Sequence, residues 1–113
     1  MKLVIAYIRP ECLNAVKQEL YSKKIYNMSV TNVLGSGRQK GFTEIYRGVV
    51  MEVNLLKKVR LEIGVNDDYV EQAVEAISAG ARTGKEGDGV IFVLECGAAI
   101  RIRTQETGPA AMG

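Results

Sequence analysis

The sequence predicts a single α+β domain, on three observations. Residues 57–66 alternate strictly, with Val59, Leu61, Ile63 and Val65 on one side and Lys58, Arg60, Glu62 and Gly64 on the other, the period of a half-buried strand. Val70, Ala73, Val74 and Ile77 then recur at helical spacing. The order strand, helix, strand is met twice along 113 residues, a length that supports one hydrophobic core.

Taken in order, Leu3 to Ile8 is apolar on both sides and predicts a buried strand that stops before Pro10. A helix over 11–24 follows, with Leu13, Val16 and Leu20 as its stripe and Lys23 and Lys24 in the last turn, where the helix dipole favours cations. Residues 28–34 alternate and are β-branched, a second strand stopped by Gly35 and Gly37. After the strand over 57–66, Asp67 and Asp68 open the second helix, Asp68 and Glu71 form a capping box, and Gly80 is its C-cap. Residues 90–95 form a fourth strand and 98–104 a short fifth, while 105–113 is a small, polar, mobile tail. This order is the ferredoxin-like split βαβ arrangement, βαββαβ. One antiparallel sheet with both helices on one side leaves its other side to be covered, and oligomerisation is the usual remedy.

Composition removes several classes of function. The chain contains no histidine, so a Ser-His-Asp or Cys-His relay and a histidine metal site are excluded. Fifteen Lys and Arg against 13 Asp and Glu leave a net charge of +2, far from the basic balance of a nucleic-acid binder, so any anion site is local. Cys12 and Cys96 stand far apart and form neither a CxxC pair nor a secreted disulfide framework. The opening MKLVIAYIRPE is too short an apolar run for a signal peptide, and the expectation is a cytoplasmic protein.

Three segments carry chemistry. Gly84 to Gly89 lacks the GxxxxGK[ST] spacing of a P-loop. Two readings of it stand: an ordinary tight turn, and a nest of inward N–H groups around Asp88 that takes an anion. Arg101 and Arg103 flank Ile102, and in an extended run both guanidinium groups project to one side. Lys58 and Arg60 add cations on the polar side of their strand, either as a solvated surface or as anion ligands. The stretch from Gly37 to Leu55 has no period that forces helix or strand and exceeds a usual connection, so it reads as a recognition loop or a bland flexible hairpin.

GSGRQKGFTEIYRG at 35–48, TGKEGDGVIFV at 83–93 and RIRT at 101–104 resemble, in order and spacing, the motifs of the PII signal-transduction family. The likeness is colinear over essentially the whole chain. It implies a single domain over 1–113, a T-loop over 37–55 and a homotrimer with ATP, ADP or AMP held between neighbouring subunits. For nucleotide it implies contacts from Ser29, Gly35, Gly37, Arg38, Gly64, Gly87, Asp88, Gly89, Val90, Arg101, Ile102 and Arg103. For 2-oxoglutarate it implies Gln39, Lys40, Gly41 and Lys58, with Gln39 also helping to hold a nucleotide-bound Mg²⁺. Arg47, Val49, Val50 and Met51 would meet a partner, an ammonium transporter or a nitrogen- or carbon-assimilation protein, and a membrane only through such a channel.

Three positions depart from that pattern. Met51 replaces the tyrosine that many bacterial relatives uridylylate, and Val49 replaces a serine phosphorylated in cyanobacterial ones. Val90 stands where the family places a lysine on the phosphates. The implied role is regulatory and not enzymatic. The alternatives are an AMP or ADP sensor indifferent to 2-oxoglutarate, a small phosphate-handling enzyme of the same fold, and an RNA-binding module. The last would need exposed stacking aromatics, for which Phe92 is one candidate.

Overall fold

The computed structural model describes residues 1–35, 42–46, 49–53 and 55–112. Strand β1 (Lys2–Ile8) leads through a 3₁₀ turn, Pro10–Cys12, into α1 (Leu13–Ser22), and β2 (Ser29–Gly35) follows. A hairpin of β3 (Phe42–Tyr46) and β4 (Val49–Val53) precedes β5 (Leu56–Val65). Then come α2 (Val70–Ala81), β6 (Gly89–Glu95) and the one-turn helix α3 (Pro109–Met112).

Strands β2, β5, β1 and β6 pair in that order, all antiparallel, as one sheet. The expected ferredoxin-like arrangement is thus the observed one. The alternation in β5 does what its period requires: Val59, Leu61, Ile63 and Val65 are buried beside Val4, Ala6 and Ile8 of β1. Against them pack Val16 and Leu20 of α1 and Ala73, Ala76 and Ile77 of α2. The buried residues among those described are all apolar, so the helix side of the sheet is a dry core.

Five local expectations are corrected. Gly80 lies inside α2 and does not end it; a Cβ there would meet the Val16 backbone N and Cα at 2.6 Å. The glycine serves helix-to-helix approach, and Arg82, in extended conformation, ends the helix. Asp68 and Glu71 form no capping box, because Asp67–Tyr69 makes a 3₁₀ turn and Asp67 is drawn 3.2 Å from Lys2 Nζ. Part of the stretch 37–55 is regular, since FTEIY and VVMEV pair from Phe42↔Val53 to Tyr46↔Val49. Two short β-prone runs separated by Arg47 and Gly48 favour a hairpin over an irregular loop.

The other two corrections concern the end of the chain. Residues 98–104 add no fifth strand to the sheet; Ile100 makes an isolated bridge to Thr107, and the chain between them turns, with Gln105 at φ 63°. The stretch expected to be a mobile tail folds back instead. Gly108 N donates to Ala99 O at 3.0 Å, Asn66 Nδ2 donates to Pro109 O at 3.3 Å, and α3 lies against Gly64.

Candidate functional site

The two long helices, α1 and α2, occupy one side of the sheet, and the implied site residues of its strands, Gly89 excepted, fall on the other. Register places Leu3, Ile5 and Tyr7 opposite Gly64, Glu62 and Arg60, and beside Leu94, Phe92 and Val90. Ser29 pairs with Glu62, and Val33 pairs with Lys58. Ser29, Gly35, Lys58, Gly64 and Val90 therefore share the side opposite α1 and α2, as period-two spacing along each strand demands.

They do not share one place on it. Ser29 and Gly64 lie at the end where β1 begins, in a cavity of about 340 Å³ with Leu3, Met28, Glu62, Ala111 and Met112. Gly35, Lys58, Gly89 and Val90 lie where β1 ends, at the Ile8↔Gly89 pair. Five residues of strand, roughly 17 Å at 3.3 Å per residue, separate the two ends.

At the far end the Gly-rich segment is a folded loop. The Asp88 carboxylate accepts hydrogen bonds from the Thr83 hydroxyl, from Thr83 N at 2.7 Å and from Gly84 N at 2.9 Å. Arg9 reaches the same carboxylate at 3.3 Å and Glu86 O at 2.5 Å. These donors, Thr83 above all, hold the Asp88 carboxyl well below the usual carboxylate range. Asp88 is thus an organiser of the loop, its oxygens already engaged. Gly89, at φ 110°, pairs so closely that a Cβ would stand 1.7 Å from Tyr7 O, so only glycine fits.

Lys58 Nζ donates to Gly87 O at 2.8 Å, and burial, seconded by the nearby Arg9 charge, pushes its pKa down. Val90 is half-exposed and lines a cavity of about 380 Å³ with Tyr7, Ser78, Arg82, Asp88 and Gly89. Arg9 and Arg82 carried no signal in sequence, and Thr83 only its place at the head of TGKEGDGVIFV, because nothing in their spacing predicts that β1 ends beside this loop.

Arg101 and Arg103 are corrected in geometry. They lie in a turn and not in a strand, so alternation does not align them. Arg101 Nη2 donates to Ala111 O at 3.4 Å, and its Nε stands 3.8 Å from Glu106. Ile102 is 89% exposed and Arg103 is exposed. Gly37, Arg38, Gln39, Lys40, Gly41 and Arg47 lie outside the described residues. Val49, Val50 and Met51 open β4, at the end of the hairpin nearest Arg47.

Among the described residues no helix is long and apolar enough to cross a membrane. None of them form a cluster of three or more His, Cys, Asp or Glu that would hold a metal.

The family model described as nitrogen regulatory protein P-II matches residues 1–106. The chain is 51% identical to nitrogen regulatory protein GlnK1 of Methanosarcina mazei, over 99% of this chain and 97% of that protein. It is 49% identical to nitrogen regulatory protein P-II of Rhizobium etli and 46% to GlnK of Escherichia coli, in each case over 99% of this chain and all of the other. These relatives are regulators of nitrogen control and not enzymes. An α+β chain with this sheet, matched from end to end by such relatives, belongs to the P-II family of nitrogen regulatory proteins.

Proposed function

We propose that the chain is a trimeric, cytoplasmic sensor that binds an adenine nucleotide between neighbouring subunits and signals to a partner of nitrogen control through residues 37–55. One observation carries this reading. The implied nucleotide residues separate into two incomplete half-sites, Ser29 and Gly64 with Arg101 nearby at one end of β1, and the Gly87–Gly89 loop at the other. Two copies that bring opposite ends together would complete each site, with Ser29 and Gly64 at the base and ribose and the loop at the phosphates.

The uncovered side of the sheet supports the assembly. Phe92 is 50% exposed and Val90 and Leu94 are nearly as open, an apolar row beside Leu3, Ile5 and Tyr7 that a neighbour would remove from water. The electrostatics suit an anion, since Arg9 and Lys58 brace the loop and the Asp88 carboxylate is engaged by Thr83 and Gly84 and paired with the Arg9 guanidinium. Mg²⁺ would be held by the nucleotide's own phosphates together with Gln39, and 2-oxoglutarate by Gln39, Lys40, Gly41 and Lys58. The partner, of the ammonium-transporter or assimilation-enzyme kind, would meet Arg47, Val49, Val50 and Met51.

The test is subunit mixing followed by nucleotide titration. Arg101→Ala/Arg103→Ala breaks one half-site and Val90→Glu the other, so each homogeneous protein should bind poorly, while co-refolded mixtures regain sites built from two intact halves. Binding by wild type with no recovery in the mixture would place the cleft within one chain and defeat the shared-site reading.

A further inference from the structure

We propose that the segment Glu106–Met112 is an intramolecular competitor for the Ser29, Gly64 and Arg101 half-site, which nucleotide must displace to bind. The inference rests on the nucleotide reading above and adds a regulated step to it.

Two groups of contacts put the segment in the ligand's place. Ala111 and Met112 fill the wall of the cavity that holds Ser29 and Gly64, and Met112 Sδ lies 3.0 Å from where a Gly64 Cβ would be. An apolar thioether on a glycine platform occupies the space that a planar base would need. Independently, Arg101 is engaged by the same segment, through Ala111 O and Glu106. A phosphate offers that guanidinium a stronger, bidentate partner than one carbonyl and a distant carboxylate. A nucleotide would therefore release both holds at once, its base replacing Met112 and its phosphates drawing Arg101 away.

The closed arrangement is held loosely. The Arg101–Ala111 bond at 3.4 Å, the Asn66–Pro109 bond at 3.3 Å and the Arg101–Glu106 pair at 3.8 Å are all long for their kinds. Asn66 Oδ1, buried beneath the segment's anchor, has no hydrogen-bond partner, a cost the closed state bears and an open one would relieve through water. Such a contact occupies the cleft when ligand is scarce and yields when it is not.

The experiment uses the full chain with AMP and ATP as probes, in wild type, Met112→Ala and Glu106→Gln. Calorimetry should show both variants binding more tightly. The gain would be roughly tenfold if the segment is closed in nine of ten wild-type molecules, because apparent affinity scales with the open fraction. Amide exchange at Gly108, whose N–H is held by Ala99 O, should quicken in wild type on saturation with nucleotide. Unchanged affinity in both variants with unmoved Gly108 exchange, while nucleotide binds, would overturn the competitor and leave the nucleotide reading standing. Weaker binding by either variant would make the segment part of the site and also overturn it. No binding by any of the three proteins would remove the nucleotide reading, and this inference with it.

Discussion

Lys58 and Gly87 are joined by a 2.8 Å hydrogen bond from the ammonium to the backbone carbonyl, which ties the middle of the sheet to the Gly-rich loop. Lys58→Met keeps the stem and removes the donor. The loop amides should exchange faster, and the loss should be about 1 kcal/mol, or roughly 4–8 °C in Tm for a chain of this size. Unchanged exchange across Gly87–Gly89 would show that the loop stands without this brace.

Asp88 predicts a pH dependence. Its carboxyl is depressed in the fold below its ordinary 3.8, so its stabilisation is present above that value and drains away as pH falls through it. Asp88→Asn should melt lower than wild type by a constant margin between pH 7 and 5, and the margin should shrink below about pH 4 as the wild-type carboxylate begins to protonate in the unfolded chain. A margin as wide at pH 3 as at pH 7 would mean that charge plays no part in the loop.

Gly80 and Gly89 are intolerant for different reasons. Gly80→Ala gains helix propensity of about 1 kcal/mol but drives a methyl into the Val16 backbone, an overpacking cost of about 1–3 kcal/mol, so the net effect should be a lower Tm. Gly89→Ala is worse, since its Cβ would overlap Tyr7 O and the backbone is left-handed there. Thermal denaturation should rank wild type above Gly80→Ala, and Gly80→Ala above Gly89→Ala.

On the proposed nucleotide reading, Val90 would set the preference among nucleotides. An ammonium there would meet the outer phosphates, a charge-assisted interaction of about 1.5–3 kcal/mol, so Val90→Lys should gain roughly tenfold or more for ATP over AMP. Wild type should then discriminate weakly among AMP, ADP and ATP. Tight Mg-ATP binding by wild type with no gain from lysine would mean that another cation, such as Arg82 of the same cavity, has taken over.

Phe92 tests the assembly. Its ring meets Tyr7 edge-on at 6.4 Å on the side opposite α1 and α2, away from the buried core. Phe92→Asp should leave the far-ultraviolet spectrum of the fold intact while shifting the trimer to monomer in light scattering. A trimer that survives the aspartate would move the interface elsewhere.

Local period determined most of the architecture. In β5 each side chain's face follows from its position alone, and the core read from residues 59, 61, 63 and 65 is the observed one. The same rule put Lys58 and Gly64 on one side of their strand, and pairing then brought Ser29 and Val90 to that side. Features set by contact between distant segments were not legible. Gly80 carries a terminator's identity yet serves the approach of α1, Asp67 looks like a cap yet binds Lys2, and residues 105–112 have a tail's composition yet fold over Gly64. Tertiary structure also decided that Gly64 and the Gly87–Gly89 loop stand at opposite ends of β1, because strand register depends on partners that no local pattern names. Periodicity reports which way a side chain faces, which the backbone settles within a few residues; where along the sheet it stands is settled only when the strands pair.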